Sequence, residues 1–456
     1  MTETPAVTPP APEIRHGYWR FVVIALLLFV FGSIAANMVA TRASDGAAIQ
    51  KAFSDGALET ITPVDLAPWW LLGRAQLDCQ QFMPLAADRF DVAASIARPK
   101  FVLSDRKVNA CTLLASVAER KRLSPNMREL LREDGFFTAG STVLPALAVI
   151  GVHATRWINT ALLLAAAVGG LWFACTSHSH GGRRDRIAAA LCMMIGSAFL
   201  LAVPGSLTAM PTMALLIGSL CGVLYMLEKN TAGPERIAKL APLLAAALVS
   251  LDPTGGSVPV GLGCILFLSR MLAPTDQDRK VVLRNGGLYV LTVVLSWLAY
   301  AVAAGMAGEW RDVPEILASL FLDVREVSWI TDLGAGALGT YQWLSGESMM
   351  GPLGAFDLLF SVACGLLLYA AVDPLDQQGR HREPIVTALL AIAPVLLWVL
   401  LYPGHWRRAE DQYVLPLMWF MSVALAAPFG LLIEAARRIA RRRSTLALET
   451  QVSPVA

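Results

Sequence analysis

The sequence predicts an all-α polytopic membrane protein, with about ten transmembrane helices and a mainly helical outer domain after the first span. Three observations carry this. The 456-residue chain is 55% hydrophobic and only 16% charged, with a mean hydropathy of +0.55, far from the balance of a soluble globular protein. Its apolar residues fall into runs long enough to cross a bilayer. Its Lys and Arg residues sort unevenly between the segments joining those runs.

A spanning helix needs roughly 17 to 25 mostly apolar residues to cross a hydrocarbon core about 30 Å thick. After a cytoplasmic tail (1–18), the first such run is Trp19 to Ala40, a signal anchor without a clear cleavage site. Residues 41–142 form an outer, periplasm-facing domain, and 143–434 a multi-span domain. Its spans are Trp157 to Cys175, Ile187 to Val203, Thr208 to Leu227, Leu240 to Leu251, Val258 to Leu272, Gly287 to Ala307, Leu353 to Val372, Pro384 to Leu401 and Tyr413 to Ile433. The pair within 240–272 is short, with Pro253, Gly255 and Gly256 between its members, so it either spans or folds back as a re-entrant hairpin. A basic tail (435–456) closes the chain in the cytoplasm.

The positive-inside rule tests this order, because short cytoplasmic segments retain Lys and Arg. With the N-terminus inside, the inner segments hold 19 of the 37 basic residues, and the short outer segments hold only Arg311, Arg325, Arg407 and Arg408. The expected location is a bacterial inner membrane with both termini cytoplasmic. A net charge of +2 leaves no electrostatic footprint for nucleic acid. No Walker A run, Rossmann fingerprint, C-x-x-C pair or H-E-x-x-H motif occurs, so no cofactor and no metal are expected.

The outer domain is near-average in polarity and long enough for a small core. Helical spacing is plain in Ala48 to Leu58 and in Cys111 to Arg122. Cys79 and Cys111 are the two cysteines outside the spans, on the oxidising side, and a Cys79 to Cys111 disulfide is the leading expectation, with two free thiols the alternative. Cys175, Cys192, Cys221, Cys264 and Cys364 lie in or beside spans and read as packing residues. The second outer loop, 309–351, opens with an amphipathic run flanked by Trp310, Trp329 and Trp343, either a surface helix or a lid. Residues Val143 to Val152 read as an interfacial segment, and Arg156 after them as an ordinary interfacial anchor.

The outer turn 402–413 packs His405, Arg407, Arg408, Glu410 and Asp411 between two apolar spans. Charges so near the bilayer need water, each other or a ligand. The guanidinium fork of Arg matches phosphate oxygens, so His405, Arg407 and Arg408 are candidates for holding a lipid phosphate, with ion pairing to the neighbouring carboxylates as the alternative. Asp357, one turn into its span, is a candidate support for such a site, as is Tyr413.

An apolar span, an acidic residue just outside it, a large outer domain, many spans and a late turn with His and Arg before Tyr and Pro: this order resembles the polytopic glycosyltransferases of the GT-C superfamily. The matching residues are Asp45, within Arg42-Ala-Ser-Asp-Gly46, and the run from His405 to Pro416. The chain lacks the Asp-Asp or Asp-Glu pair common after the first span of that family. The resemblance implies transfer of a sugar from a polyprenyl-phosphate carrier to a glycan or lipid acceptor outside the cytoplasm, with Asp45 as base and membrane lipid as the surrounding partner. A general base would take the acceptor proton, while Arg407 and Arg408 would stabilise the departing phosphate. Asp55, Glu59 and Asp65 are substitutes for Asp45. The competing reading is a non-catalytic protein that binds or moves a lipid-linked saccharide or scaffolds envelope assembly. A polymerase or ligase of the O-antigen type is a further possibility.

Overall fold

The computed structural model describes residues 17–43, 47–55, 58, 79, 101–103, 110–118, 131–133, 150–176, 233–251, 257–273, 277–307, 314, 334, 384–401 and 439. These residues are helical apart from one short strand pair. The first helix runs as α1 (Tyr18–Ala25), a π-helical segment (Leu26–Phe31) and α2 (Gly32–Ala43). The wider π turn shows in the Gly32 N–H, which reaches back five residues to the Leu27 carbonyl. Next come α3 (Ala47–Ser54), β1 (Phe101–Leu103), α4 (Ala110–Ala118), β2 (Leu131–Glu133), α5 (Val152–Thr176), α6 (Pro234–Leu251), α7 (Ser257–Leu272), α8 (Asp278–Ala307) and α9 (Pro384–Leu401).

Three described helices are long and apolar enough to cross a membrane: Tyr18–Ala36, Val152–Trp172 within α5, and Asp278–Ala303 within α8. Helix α7 and the stretch Leu389–Leu401 are apolar but shorter. The expected spans at 187–203, 208–227, 353–372 and 413–433 lie outside the described residues. Pro384–Leu401 coincides with its predicted run. Three others begin earlier than hydropathy suggested: α5 at Val152, α6 at Pro234 and α8 at Asp278. Backbone hydrogen bonding continues beyond the apolar stretch wherever the start signals are good. Helix α6 has Pro234 at its first position followed by Glu235, a favourable pairing with the positive end of the helix dipole.

Helices α6 and α7 sit innermost and are buried on most sides, with α1, the π segment, α8 and α9 packed around them. Helix α8 shows why this arrangement suits lipid. Its buried stripe carries Asn285, Tyr289, Thr292, Ser296 and Tyr300, while Leu283, Val290, Val294, Leu298, Val302 and Met306 are exposed. Apolar outside and polar inside is the reverse of a soluble helix, and it follows from hydrocarbon replacing water as solvent. The exposed Trp19, Val23, Leu27 and Leu28 of the first helix form a similar outward face.

Hydrogen bonds and one ion pair set the order of these helices. Arg270 of α7 meets Asp278 of α8 at 3.3 Å across the tight connection between them. Asn285 Nδ2 donates to Ser269 Oγ at 2.9 Å and to the Pro234 carbonyl at 3.3 Å, tying α8 to α7 and to the start of α6. At the far end of α6, Tyr300 Oη donates to Ser250 Oγ at 3.2 Å. Helices α6 and α8 therefore run parallel. Because Tyr300 lies seven residues before the end of α8, α6 stops roughly 10 Å short of that end at 1.5 Å per residue.

Between the first helix and α5, helices α3 and α4 pack together over a small core of Ala52, Leu58, Leu113 and Leu114. The helical stretches expected at 48–58 and 111–122 are described in part, as α3 and α4. Leu58 stays attached to α3 through its N–H to the Ala52 carbonyl at 3.0 Å. Strands β1 and β2 pair antiparallel, Phe101 opposite Glu133 and Leu103 opposite Leu131, within a stretch expected to be mainly helical.

Candidate functional site

Of the residues singled out from sequence, Cys79 and Cys111 are described. They form a disulfide, with Cα atoms 5.1 Å apart and 32 residues of sequence separation. Both are fully buried, so the bridge joins the start of α4 to the core it shares with α3. Asp45, Asp357, His405, Arg407, Arg408 and Tyr413 lie outside the described residues, as do Glu59 and Asp65. Asp55 is described and exposed at the end of α3, where its N–H bonds to the Lys51 carbonyl at 2.8 Å.

The Asp55 backbone carbonyl also meets His153 Nε2 of α5 at 3.2 Å. A carbonyl only accepts, so Nε2 is the ring nitrogen that carries the proton in this contact. The bond ties the end of α3 to the first turn of α5. Because α3 follows directly on the first helix, the start of α5 and the end of that helix share one side of the molecule.

Just inside this joint lies the polar site that sequence reading missed. Val152, Thr155, Arg156, Asn159, Thr160, Leu163 and Ala167 form one buried stripe along α5, at the three- and four-residue spacing of a single helix face. The stripe is polar in its first turns and apolar thereafter. Arg156 is 1% exposed and Asn159 5% exposed, so Arg156 is an interior residue and not the surface anchor its sequence position suggested. The error came from treating Arg156 as flanking a span that began at Trp157. Once α5 starts at Val152, Arg156 falls on the face that points inward.

On the opposite face, Trp157, Ile158, Leu162, Val168 and Trp172 are exposed. The signal that could have found the site is this spacing. Continuing the helical phase of the Trp157 run back by one turn puts Arg156 and Asn159 together, opposite the large apolar side chains. Thr155 Oγ1 donates to the Gly151 carbonyl at 2.8 Å and Thr160 Oγ1 to the Arg156 carbonyl at 2.9 Å, so both threonine protons are spent on the helix itself. Among the described residues the buried Asn159 Nδ2 donor has no hydrogen-bond partner. Helix α5 carries no Asp or Glu. Its buried polar face thus carries the guanidinium of Arg156, which is engaged within the chain, beside the amide of Asn159.

A second polar group gathers at the other end of the helix set. Arg284 stacks on the Tyr18 ring at 5.1 Å and donates through Nη2 to the Pro234 carbonyl at 3.3 Å, while Lys239 lies 5.6 Å from the Phe21 ring. These contacts seat α1 against α6 and α8 where the sequence expects the cytoplasmic face, and their role is packing and orientation. Among the described residues, no group of three or more His, Cys, Asp or Glu is placed to hold a metal ion. Comparison with family models, curated proteins and solved structures finds no match for this chain.

Proposed function

We propose that this protein is a membrane glycosyltransferase that takes a sugar from a polyprenyl-phosphate carrier and transfers it to an envelope acceptor on the outer face of a bacterial inner membrane. The observation that carries the reading is the disulfide-braced domain between the first long apolar helix and α5, joined to α5 by His153 and Asp55. A disulfide is stable in an oxidising compartment, which supports an outer position for this domain. Asp45 falls in sequence between the end of α2 at Ala43 and the start of α3 at Ala47. In this reading Asp45 deprotonates the acceptor hydroxyl. His405, Arg407 and Arg408 hold the carrier phosphate and stabilise its charge as the glycosidic bond to phosphate breaks.

The test is sugar transfer from a polyprenyl-phosphate donor in proteoliposomes. Asp45→Asn is expected to lower the rate by about 100-fold or more, as for loss of a general base. Replacing Arg407 and Arg408 by Ala is expected to abolish phosphate-dependent donor use. Wild-type transfer in both variants, at equal protein levels, removes this assignment. Loss in the arginine variant with full retention in Asp45→Asn favours a protein that binds or moves the lipid-linked saccharide without catalysing transfer.

A further inference from the structure

We infer that the outer end of α5 is a phosphate-binding site, in which Arg156 and Asn159 recognise the phosphate group of a membrane lipid. Three observations lead there. The first is burial. An arginine and an asparagine three residues apart, both more than nine-tenths buried, lie on the inward face of a helix otherwise built for hydrocarbon. Interior charge in such a helix is costly, and it is retained where a partner or ligand uses it.

The second observation is the unmet donor. Among the described residues Asn159 Nδ2 has no acceptor, although a buried amide N–H is seldom left so. Arg156 is itself engaged within the chain. Its guanidinium has five N–H donors in a planar fork, enough to serve an internal partner and a ligand oxygen together. Side chains three apart on a helix are neighbours, about 5 to 6 Å between their Cβ atoms. A tetrahedral phosphate can accept from both at once. Helix α5 itself carries no carboxylate and its threonine protons are already committed, so the N–H groups are the donors this face can offer to a ligand oxygen.

The third observation is depth. Arg156 lies one turn from the start of α5, beside the exposed Trp157, and an indole facing outward at a helix end marks the headgroup level of a bilayer. Lipid phosphates lie at that level. The opposite face of α5, through Ile158, Leu162 and Val168, is apolar and exposed, as suits a helix bordered by lipid at this depth. The inference does not rest on glycosyl transfer, and it concerns residues separate from Arg407 and Arg408.

The full-length protein in nanodiscs provides the test, read as the shift in thermal midpoint with added ligand. The probes are a polyprenyl monophosphate, the corresponding polyprenol, phosphatidylglycerol and inorganic phosphate. The monophosphate is expected to raise the midpoint and the alcohol to leave it unchanged. Asn159→Leu is expected to keep or raise the ligand-free midpoint, because it removes a buried donor that lacks an acceptor, while weakening monophosphate binding about tenfold. Arg156→Lys, which keeps the charge and loses the fork, is expected to weaken binding as well. Saturation by phosphatidylglycerol in place of the monophosphate identifies a phospholipid headgroup as the source, and saturation by inorganic phosphate alone identifies the free ion; either retains phosphate as the recognised chemistry. Equal binding of monophosphate and alcohol, wild-type affinity in Asn159→Leu, or a lowered ligand-free midpoint in that variant overturns the inference.

Discussion

At the scale of the residue, the interior of this protein is decided by close approach and by polar pairs that hydrocarbon cannot replace. A Cβ placed on Gly261 of α7 would lie 2.5 Å from the Tyr289 hydroxyl and nearer still to the Leu248 side chain. That hydroxyl donates to the Val258 carbonyl at 2.7 Å, so an added methyl group opposes both packing and a short interhelical bond. Gly261→Ala is expected to destabilise the protein by about 1 to 3 kcal/mol, the usual range for overpacking. A Cβ on Gly286 would meet only the tip of Leu266, at 2.7 Å, and a flexible leucine tip can turn away. Thermal unfolding in detergent should rank the variants, with Gly261→Ala lower than Gly286→Ala. An equal effect would mean that α7 and α8 separate freely at Gly261.

Helices and covalent links set the next scale. The sequence identified α3, α4, α9 and the first helix from spacing and hydropathy, and Cys79 with Cys111 from their position outside the spans. It placed the starts of α5, α6 and α8 too late, because hydropathy reports where lipid ends and hydrogen bonding reports where a helix ends. For α5 the difference has consequences, since it moves Arg156 from the flank of a span into a buried face. The disulfide closes 32 residues of sequence separation, and the loop-entropy relation gives about 3 to 4 kcal/mol of stabilisation to the unit built on α3 and α4. Cys79→Ser and Cys111→Ser should each cost about as much as the double substitution, since either one opens the bridge. Limited proteolysis of 41–142 in intact cells or spheroplasts would read this out. Strong additivity of the two single effects would show that the cysteines contribute separately.

Taken as a whole, the molecule divides into two unlike ends. Arg284 on Tyr18, Lys239 on Phe21 and the Arg270 to Asp278 pair gather at one end, while the bridged domain meets α5 at the other. The basic end is expected to face the cytoplasm, where positive residues are retained. Single cysteines introduced at Lys100 and at Arg279, in a background that keeps the Cys79–Cys111 bridge and lacks Cys175, Cys192, Cys221, Cys264 and Cys364, should differ in labelling by a membrane-impermeant thiol reagent added outside. Position 100 should react in intact cells, and position 279 only after permeabilisation. The reverse pattern would invert the protein and move the phosphate site on α5 to the cytoplasmic face.

By itself the sequence determined the membrane class, the expected sidedness and the cysteine pair, because these depend on composition and on order along the chain. Hydrocarbon selects apolar runs, and sidedness follows from counting charges between them. The tertiary structure decided which polar residues lie inside. The inward Asn285 and Tyr300 of α8, and the buried pair Arg156 and Asn159 of α5, look in sequence like scattered polar positions in apolar helices. Which face of each helix meets protein and which meets lipid depends on neighbours distant in the chain. A one-residue change in rotation turns a helix by about 100°, enough to exchange a lipid-facing side chain for a buried one.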